Sequence, residues 1–257
     1  MKVVILAGGF GTRLSEFTHS IPKPMVSVGG KPILWHIMSI YAKFGFKDFV
    51  VALGYKSEII KDYFLNYSVL ASDFTVSLAN NHVTYHSSSV DDWNVTLIDT
   101  GLDTMTGGRL LRLKPYVGSQ PFMLTYGDGL ANININSLLD FHCRHNKLVT
   151  ISAVHPNARF GELKLDGDNI ISFAEKPQTD DGWINGGFFV IEPSFLDYID
   201  SDSTVLESTP LETAALNNEL IAYKHTGFWQ CMDSKRDLDY LNSLCSNGSF
   251  PWLIDVI

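Results

Sequence analysis

The chain has 257 residues, 45% of them hydrophobic and 18% charged, which suffices for one large α/β domain with a substantial core. Its formal net charge of −9 argues against general binding to nucleic acids or to anionic membranes, although a local cationic pocket stays possible. Three cysteines without a Cys-x-x-Cys spacing disfavour a disulfide framework and a zinc site, and no apolar run is long enough to span a membrane. We therefore expect a cytosolic protein.

A glycine-rich loop follows the first predicted strand, which covers residues 3–6. Three glycines within four positions allow the backbone to turn sharply, so that its N–H groups can approach phosphate oxygens. Arg13 adds a planar cation, and Lys23 adds a second positive charge between two prolines. The pattern indicates a loop that binds the phosphates of a nucleotide. The residues expected to contact the nucleotide here are Leu6, Ala7, Gly8, Gly9, Phe10, Gly11, Thr12, Arg13 and Lys23.

Two better-known phosphate loops do not match this segment. The last glycine of the dinucleotide fingerprint is missing, as is an acidic residue about twenty positions further on. The Gly-Lys-Ser/Thr sequence of a Walker A loop is also absent. A nicotinamide-dependent oxidoreductase is therefore a poor interpretation.

The next segments alternate between strands and helices. Apolar residues three and four apart predict a helix over 31–44, in which Pro32 suits the first turn and Gly45 the end. A buried strand over 49–53 and a helix over 58–64 follow, a pattern typical of a parallel sheet with right-handed crossovers. Further strands are predicted over 74–78, 83–86, 94–98, 122–126, 148–154 and within 161–190, and further helices over 136–145, 194–199, 210–217 and 236–244.

The chain contains no internal repeat, low-complexity tract or linker. We therefore predict a single domain over 1–257, with a nucleotide-binding half at about 1–130 and a sugar-binding, metal-completing half at about 131–257.

Two aspartates are candidates for a metal site. Asp128 follows the predicted strand 122–126 between two glycines, at the edge of the sheet where α/β folds bind ligands. Asp233 ends an apolar run just before the predicted helix 236–244. Each has a structural alternative, since an aspartate often caps a turn or a helix. Together they offer the carboxylates that Mg²⁺ uses beside water and substrate phosphates.

The spacing GGxGTRL…PKP resembles the sugar-1-phosphate nucleotidylyltransferases, which join a sugar phosphate to a nucleoside triphosphate and release pyrophosphate. The resemblance implies an α/β three-layer sandwich with a mostly parallel, Rossmann-like sheet. It also implies that Asp128 and Asp233 bind the Mg²⁺ cofactor. The run FAEKP at 173–177 is similar to the family's F-x-E-K-P, which implies that Lys176 holds the sugar phosphate and Glu175 faces sugar hydroxyls. Asn185 and Gly186 match its N-x-G segment beside the sugar, where Trp183 could form a wall.

Several segments resemble the branch of this family that transfers a cytidylyl group from CTP to glucose 1-phosphate. They are Asp99-Thr100-Gly101, the run 105–109, the run 125–129 and the run 227–233. A Q-x-x-P-x-G-L-A stretch, common in thymidylyl- and uridylyltransferases, is not seen before Gly108. Two alternatives stay open: a uridylyl- or thymidylyltransferase for a hexose 1-phosphate, and a non-catalytic regulator that binds a sugar nucleotide.

The resemblance also assigns roles to individual residues. It places Thr104, Thr106, Arg109 and Gly127 at the nucleotide, where Arg109 could contact the base, the ribose or a phosphate. It makes Arg13, Lys23, Asp128 and Lys176 the catalytic set, without a covalent nucleophile, because an ionised sugar phosphate can attack the α-phosphorus directly. Members of the family are commonly symmetric homo-oligomers.

Overall fold

The computed structural model describes residues 1–88, 90–156, 162–166, 169–174 and 182–253. The strands are β1 (Lys2–Leu6), β2 (Ser27–Val28), β3 (Lys31–Pro32), β4 (Asp48–Leu53), β5 (Ser72–Ser77), β6 (His82–Ser88), β7 (Asn94–Asp99), β8 (Phe122–Tyr126), β9 (Gly129–Ala131), β10 (Val149–Val154), β11 (Glu162–Asp166), β12 (Asn169–Ala174), β13 (Ile184–Ile191), β14 (Leu220–His225) and β15 (Trp229–Cys231). The α-helices are α1 (Ser15–Thr18), α2 (Ile33–Ala42), α3 (Ser57–Leu65), α4 (Tyr67–Leu70), α5 (Thr106–Arg112), α6 (Lys114–Val117), α7 (Ile135–His145), α8 (Thr209–Leu216) and α9 (Lys235–Ser246). Short 3₁₀ helices cover Thr12–Leu14, Lys23–Met25, Pro193–Tyr198 and Pro251–Leu253.

The central sheet has the strand order β14-β10-β13-β8-β1-β4-β7. β1 lies at its middle and pairs in parallel with β4 on one side and with β8 on the other. β13 runs antiparallel to both of its neighbours, whereas the pairs β10–β14 and β4–β7 are parallel. The mostly parallel sheet predicted from the sequence is confirmed. Strands from both ends of the chain contribute to this one sheet.

Helices cover both faces of the sheet. Because side chains alternate along a strand, Val3 and Ile5 of β1 face one layer while Val4 and Leu6 face the other. The first layer packs α2 and α9 against the sheet, and the second contains buried residues of α5 and α8. This arrangement confirms the three-layer sandwich. None of the helices in the described ranges is long and apolar enough to cross a bilayer.

The short helices α1, α4 and α6 were not predicted from the sequence, and two further differences concern longer segments. α5 was not predicted, because Gly107 and Gly108 disfavour a helix interior. The structure explains Gly108: a Cβ there would lie 2.4 Å from the backbone oxygen of Asp202, so only glycine allows this close approach. The second difference is the segment predicted as an α-helix over 194–199, which forms the 3₁₀ helix Pro193–Tyr198.

A short antiparallel pair brings two distant segments together at the sheet edge. β9 follows β8 after two intervening residues and pairs with β15, with Gly129 opposite Cys231. The backbone N–H of Met232 donates to the carbonyl of Asp128 over 2.9 Å. As a result, the residues after β8 and after β15 lie beside the loop that follows β1.

Candidate active site

A cavity of about 740 Å³ lies at the carboxyl ends of β1 and β8. Except for Trp183, the predicted site residues within the described ranges all line it: Leu6, Ala7, Gly8, Gly9, Phe10, Gly11, Thr12, Arg13, Lys23, Thr104, Thr106, Arg109, Gly127, Asp128, Asn185, Gly186 and Asp233. Glu175 and Lys176, predicted to bind the sugar phosphate, lie outside the described residues. The fold thus gathers residues that are more than 200 positions apart in sequence around one cavity.

The glycine-rich loop is shaped by contacts that exclude side chains. A Cβ at Gly8 would lie 2.2 Å from Nη1 of Arg109, so the guanidinium packs directly on the backbone. Gly11 has a φ of +64°, a left-handed conformation that glycine adopts without strain, and precedes the 3₁₀ helix Thr12–Leu14. At Gly9 a Cβ would meet no atom within 4 Å, so the loop faces open space there. A ligand phosphate can approach this part of the backbone closely.

Arg109 is buried, and its guanidinium forms hydrogen bonds with chain segments beside the cavity. Its Nη1 donates to the carbonyl oxygens of Leu53 and Gly101 over 3.0 and 2.7 Å and to Oγ1 of Thr100 over 2.8 Å. Its Nη2 donates to the carbonyl of Leu102 over 3.0 Å. Burial lowers the pKa of Arg109, an effect that the charge of Asp99 opposes. The guanidinium therefore fixes both the glycine-rich loop and the segment that leads into α5.

Lys23 lies between the two predicted metal ligands. Its Nζ is 2.7 Å from Oδ2 of Asp128 and 2.6 Å from Oδ1 of Asp233. Arg13 reaches the other oxygen of Asp233, with Nη1 2.7 Å from Oδ2. The Lys23 side chain is only 12% exposed, whereas that of Arg13 is 76% exposed. Two cations and two carboxylates thus form one charge-balanced cluster.

The electrostatics of the cluster keep Lys23 and Asp233 ionised. Burial alone would lower the pKa of Lys23, but the charge of Asp128 and the hydrogen bonds to both carboxylates raise it above its ordinary value. Burial would raise the pKa of Asp233, but the hydrogen bond and charge of Lys23, followed by Arg13, bring it below its usual range. Both groups are therefore charged at neutral pH.

The acidic side of the cluster fits a hard divalent cation. Ligand atoms of Asp128, Cys231 and Asp233 all lie within 4.8 Å of one another. Burial, followed by the charge of Asp128, raises the pKa of the Cys231 thiol well above neutrality, so the thiol stays protonated. Two carboxylates beside a protonated thiol are the donor set of an ion that prefers oxygen. Asp128 and Asp233 can hold such an ion, with phosphates and water completing its coordination.

The far side of the cavity is organised by a hydrogen-bond chain. Nδ2 of Asn185 donates to the phenol oxygen of Tyr126 over 3.2 Å, and Tyr126 donates to Oε1 of Glu207 over 2.6 Å. Oε2 of Glu207 accepts a hydrogen bond from Thr106 over 2.7 Å. Burial and the charge of Glu207 raise the pKa of Tyr126 well above its ordinary value. Tyr126 is therefore a neutral hydrogen-bond donor.

Sequence reasoning missed several residues of this site. Tyr126 and Cys231 line the cavity, although the sequence analysis treated them only as members of longer runs. The tryptophan on the wall is Trp229, whose Nε1 donates to the carbonyl of Gly186 over 2.8 Å. Trp183, expected at this wall, instead packs on His155 with ring centroids 3.9 Å apart. A signal for Trp229 existed, since it lies in the run that ends at Asp233.

Comparison with known proteins identifies the class. Residues 2–245 match the family described as nucleotidyl transferase. The match covers nearly the whole chain, including the glycine-rich loop and both aspartates. The chain belongs to this nucleotidyl transferase family, in agreement with the resemblance seen in its motifs.

Individual relatives are more specific. The chain is 52% identical over 253 residues to a glucose-1-phosphate cytidylyltransferase of Salmonella typhi, covering 98% of both chains. It is 42% identical to a probable glucose-1-phosphate cytidylyltransferase of Bacillus subtilis, covering 99% of this chain and 100% of the relative. Among solved structures, HddC from Yersinia pseudotuberculosis superimposes with a TM-score of 0.68 at 24% identity, covering 96% of this chain and 99% of that chain. The last comparison supports the fold alone.

Replacing either aspartate by asparagine should weaken binding of a divalent cation while the protein stays folded. The amide keeps the shape of the side chain but lacks the negative charge that the cation requires. We expect Asp128→Asn and Asp233→Asn each to weaken Mn²⁺ binding by about tenfold or more, as measured by electron paramagnetic resonance.

Asp92→Asn is the matched control, because Asp92 is an exposed carboxylate that pairs with Lys47 outside the cavity. Its Mn²⁺ titration should equal that of the wild type. Unchanged Mn²⁺ binding in both folded active-site variants would exclude this cluster as the metal site.

Proposed function

We propose that the protein transfers a cytidylyl group from CTP to α-D-glucose 1-phosphate, giving CDP-glucose and pyrophosphate. The observation that carries the proposal is the cavity in which a glycine-rich phosphate loop meets the Lys23–Asp128–Asp233 cluster. The choice of CTP and glucose 1-phosphate is supported by the relatives at 52% and 42% identity.

The reaction requires positioning and charge stabilisation rather than a protein nucleophile. An oxygen of the sugar phosphate attacks the α-phosphorus of CTP, and the bond from that phosphorus to the bridging oxygen of the β-phosphate breaks. The electron pair leaves with pyrophosphate, and the attacking phosphate is already ionised near neutral pH. The protonated thiol of Cys231 is accordingly not needed as a nucleophile.

The charged cluster supplies the groups that such a reaction needs. Arg13 and Lys23 exchange their carboxylate partners for oxygens of the triphosphate and stabilise the charge that develops on pyrophosphate. Asp128 and Asp233 would hold Mg²⁺, which when bound neutralises phosphate charge and aligns the triphosphate. Lys176 is proposed to hold the acceptor phosphate.

The sugar and the base are held by the remaining walls. Asn185 and Gly186 contact the sugar, and Glu175 is proposed to face its hydroxyls. Nη1 of Arg109 is engaged by the acceptors of Leu53, Thr100 and Gly101, while Nη2 has one hydrogen beyond its bond to Leu102 that can point to the nucleotide. Cytosine offers acceptors at O2 and N3 for such a donor, whereas uracil and thymine carry a hydrogen on N3.

A pyrophosphate-release assay with glucose 1-phosphate tests the function. We expect a specificity constant for CTP at least ~10²-fold above those for UTP and dTTP, because the wrong base leaves buried groups of the site without partners. Preference for UTP or dTTP would support the uridylyl- or thymidylyltransferase alternative. Binding of CDP-glucose without any pyrophosphate release would support the non-catalytic regulator.

Lys23→Met should lower turnover strongly. The ammonium is expected to stabilise charge that develops during transfer, and the loss of such a contact costs on the order of 3–4 kcal/mol of transition-state stabilisation. The kcat for pyrophosphate release should therefore fall by about 10²–10³-fold. Lys47→Met is the control, since Lys47 forms an exposed ion pair with Asp92. A Lys23→Met variant that keeps more than half of the wild-type kcat would contradict the assigned role.

We also propose that the protein forms a homo-oligomer through the β5–β6 hairpin. Phe74, Val76, Val83 and Tyr85 share one face of this hairpin, because Phe74 pairs with Tyr85 and Val76 with Val83. Each is between 39% and 46% exposed, so this face presents a contiguous apolar patch of the kind that often marks an interaction site. Sedimentation velocity should give a mass of two or more times 28.7 kDa, and Val76→Glu should shift it toward the monomer. A monomeric wild type would refute the proposal.

A further inference from the structure

One carboxylate connects the two sides of the cavity without lining it. Glu207 lies in the segment between the 3₁₀ helix Pro193–Tyr198 and α8 and is exposed. Its Oε1 accepts a hydrogen bond from Tyr126 over 2.6 Å, and its Oε2 accepts one from Thr106 over 2.7 Å. Tyr126 lies beside Asn185 on the sugar side, whereas Thr106 begins α5 on the nucleotide side.

The direction of the hydrogen bonds on the sugar side follows from donor chemistry. An ionised carboxylate only accepts, so the hydroxyl hydrogen of Tyr126 points to Glu207. The phenol oxygen then acts as an acceptor toward Nδ2 of Asn185, 3.2 Å away. The amide orientation is fixed independently, because the backbone N–H of Gly187 donates to Oδ1 of Asn185 over 2.8 Å. Asn185 consequently keeps one Nδ2 hydrogen to offer to a sugar oxygen.

The nucleotide side is fixed by the same carboxylate. The hydroxyl of Thr106 gives its single hydrogen to Glu207 and accepts a hydrogen bond from the backbone N–H of Leu206 over 2.9 Å. Thr106 follows the segment 102–105, which lines the cavity together with it. Loss of the Glu207 carboxylate would free the hydroxyls of Tyr126 and Thr106 to rotate and to donate elsewhere.

We propose that Glu207 is a positioning residue that sets the direction of hydrogen bonding at the sugar side and couples it to the nucleotide side. This inference rests on the proposed function, in which Asn185 contacts the sugar and the segment before α5 contacts the nucleotide. Glu207 acts only through Tyr126 and Thr106. Its removal should therefore change substrate recognition and discrimination among sugars more than it changes the fold.

The chain offers a matched control for a merely structural role. Asp202 lies in the same segment as Glu207 and joins it to the same helix, since Nε of Arg112 donates to Oδ1 of Asp202 over 2.8 Å. Both Asp202 and Arg112 are exposed and neither lines the cavity. If Glu207 only tethered this segment to α5, Asp202→Asn would have similar consequences.

The experiment measures steady-state kinetics of pyrophosphate release for the full-length protein. Glu207→Ala should raise KM for both glucose 1-phosphate and CTP, each by about tenfold, because a hydroxyl on each side loses its hydrogen bond to a charged acceptor. Tyr126→Phe should raise chiefly KM for glucose 1-phosphate, and Thr106→Val chiefly KM for CTP. Glu207→Ala should also lower the ratio of kcat/KM for glucose 1-phosphate to that for galactose 1-phosphate. Adding Tyr126→Phe to Glu207→Ala should raise KM for glucose 1-phosphate no further.

Several outcomes would overturn the inference. They are unchanged KM values in Glu207→Ala, an Asp202→Asn variant that reproduces its effects, or fully additive effects of Glu207→Ala and Tyr126→Phe. If the wild type itself releases no pyrophosphate, the proposed function fails, and calorimetric titration with glucose 1-phosphate then decides on Glu207. Weaker binding by Glu207→Ala than by the wild type would support the positioning role, and equal or absent binding in both would refute it.

Discussion

Lys23 joins three segments that the chain places far apart. It follows the glycine-rich loop, and its ammonium contacts Asp128 after β8 and Asp233 after β15 at 2.7 and 2.6 Å. A cation this well buried requires partners, and two carboxylates at such a distance would repel each other without it. Lys23 therefore links the loop, the sheet edge and the residue just before α9 through two ion pairs. Because Arg13 adds the second positive charge, the charges of the four side chains sum to zero. An incoming triphosphate with its cation then only exchanges the ion-pair partners of these side chains.

The cluster in turn depends on two features of the backbone. Parallel pairing of β1 with β8 brings the loop and Asp128 to the same edge of the sheet, and pairing of β9 with β15 adds Asp233. The capping box of α9, in which Ser234 accepts from the N–H of Asp237 and Asp237 accepts from that of Ser234, fixes the chain directly after Asp233. The second carboxylate is thus oriented by a helix start rather than by a flexible loop. This local order fixes Asp233 where it pairs with Lys23 and Arg13 and where, in the proposed function, it would also hold a metal.

The sequence alone was enough to predict those features whose signal lies within a short stretch of the chain. Gly8 to Arg13, with Lys23 ten positions later, predict a phosphate loop from spacing, and Asp128 becomes a candidate only through that loop together with the strand before it. Asp233 required the family resemblance, since a helix cap explained it equally well. Glu207 was not predictable, because its partners lie 81 and 101 positions away and no motif surrounds it. The helix α5 was missed because its two glycines serve a close packing contact that only the tertiary structure reveals.

The carboxylates of the site divide into two kinds that suit different tasks. Asp128 and Asp233 are paired with cations, and such pairs can be exchanged when phosphate oxygens and a metal compete for the same charges. Glu207 instead accepts hydrogen bonds from the neutral hydroxyls of Tyr126 and Thr106. The first pair can therefore rearrange as substrates bind, whereas the role we propose for Glu207 is to keep the sugar and nucleotide walls in register. A site that exchanges its charge partners and also orients two substrates would use both kinds of carboxylate.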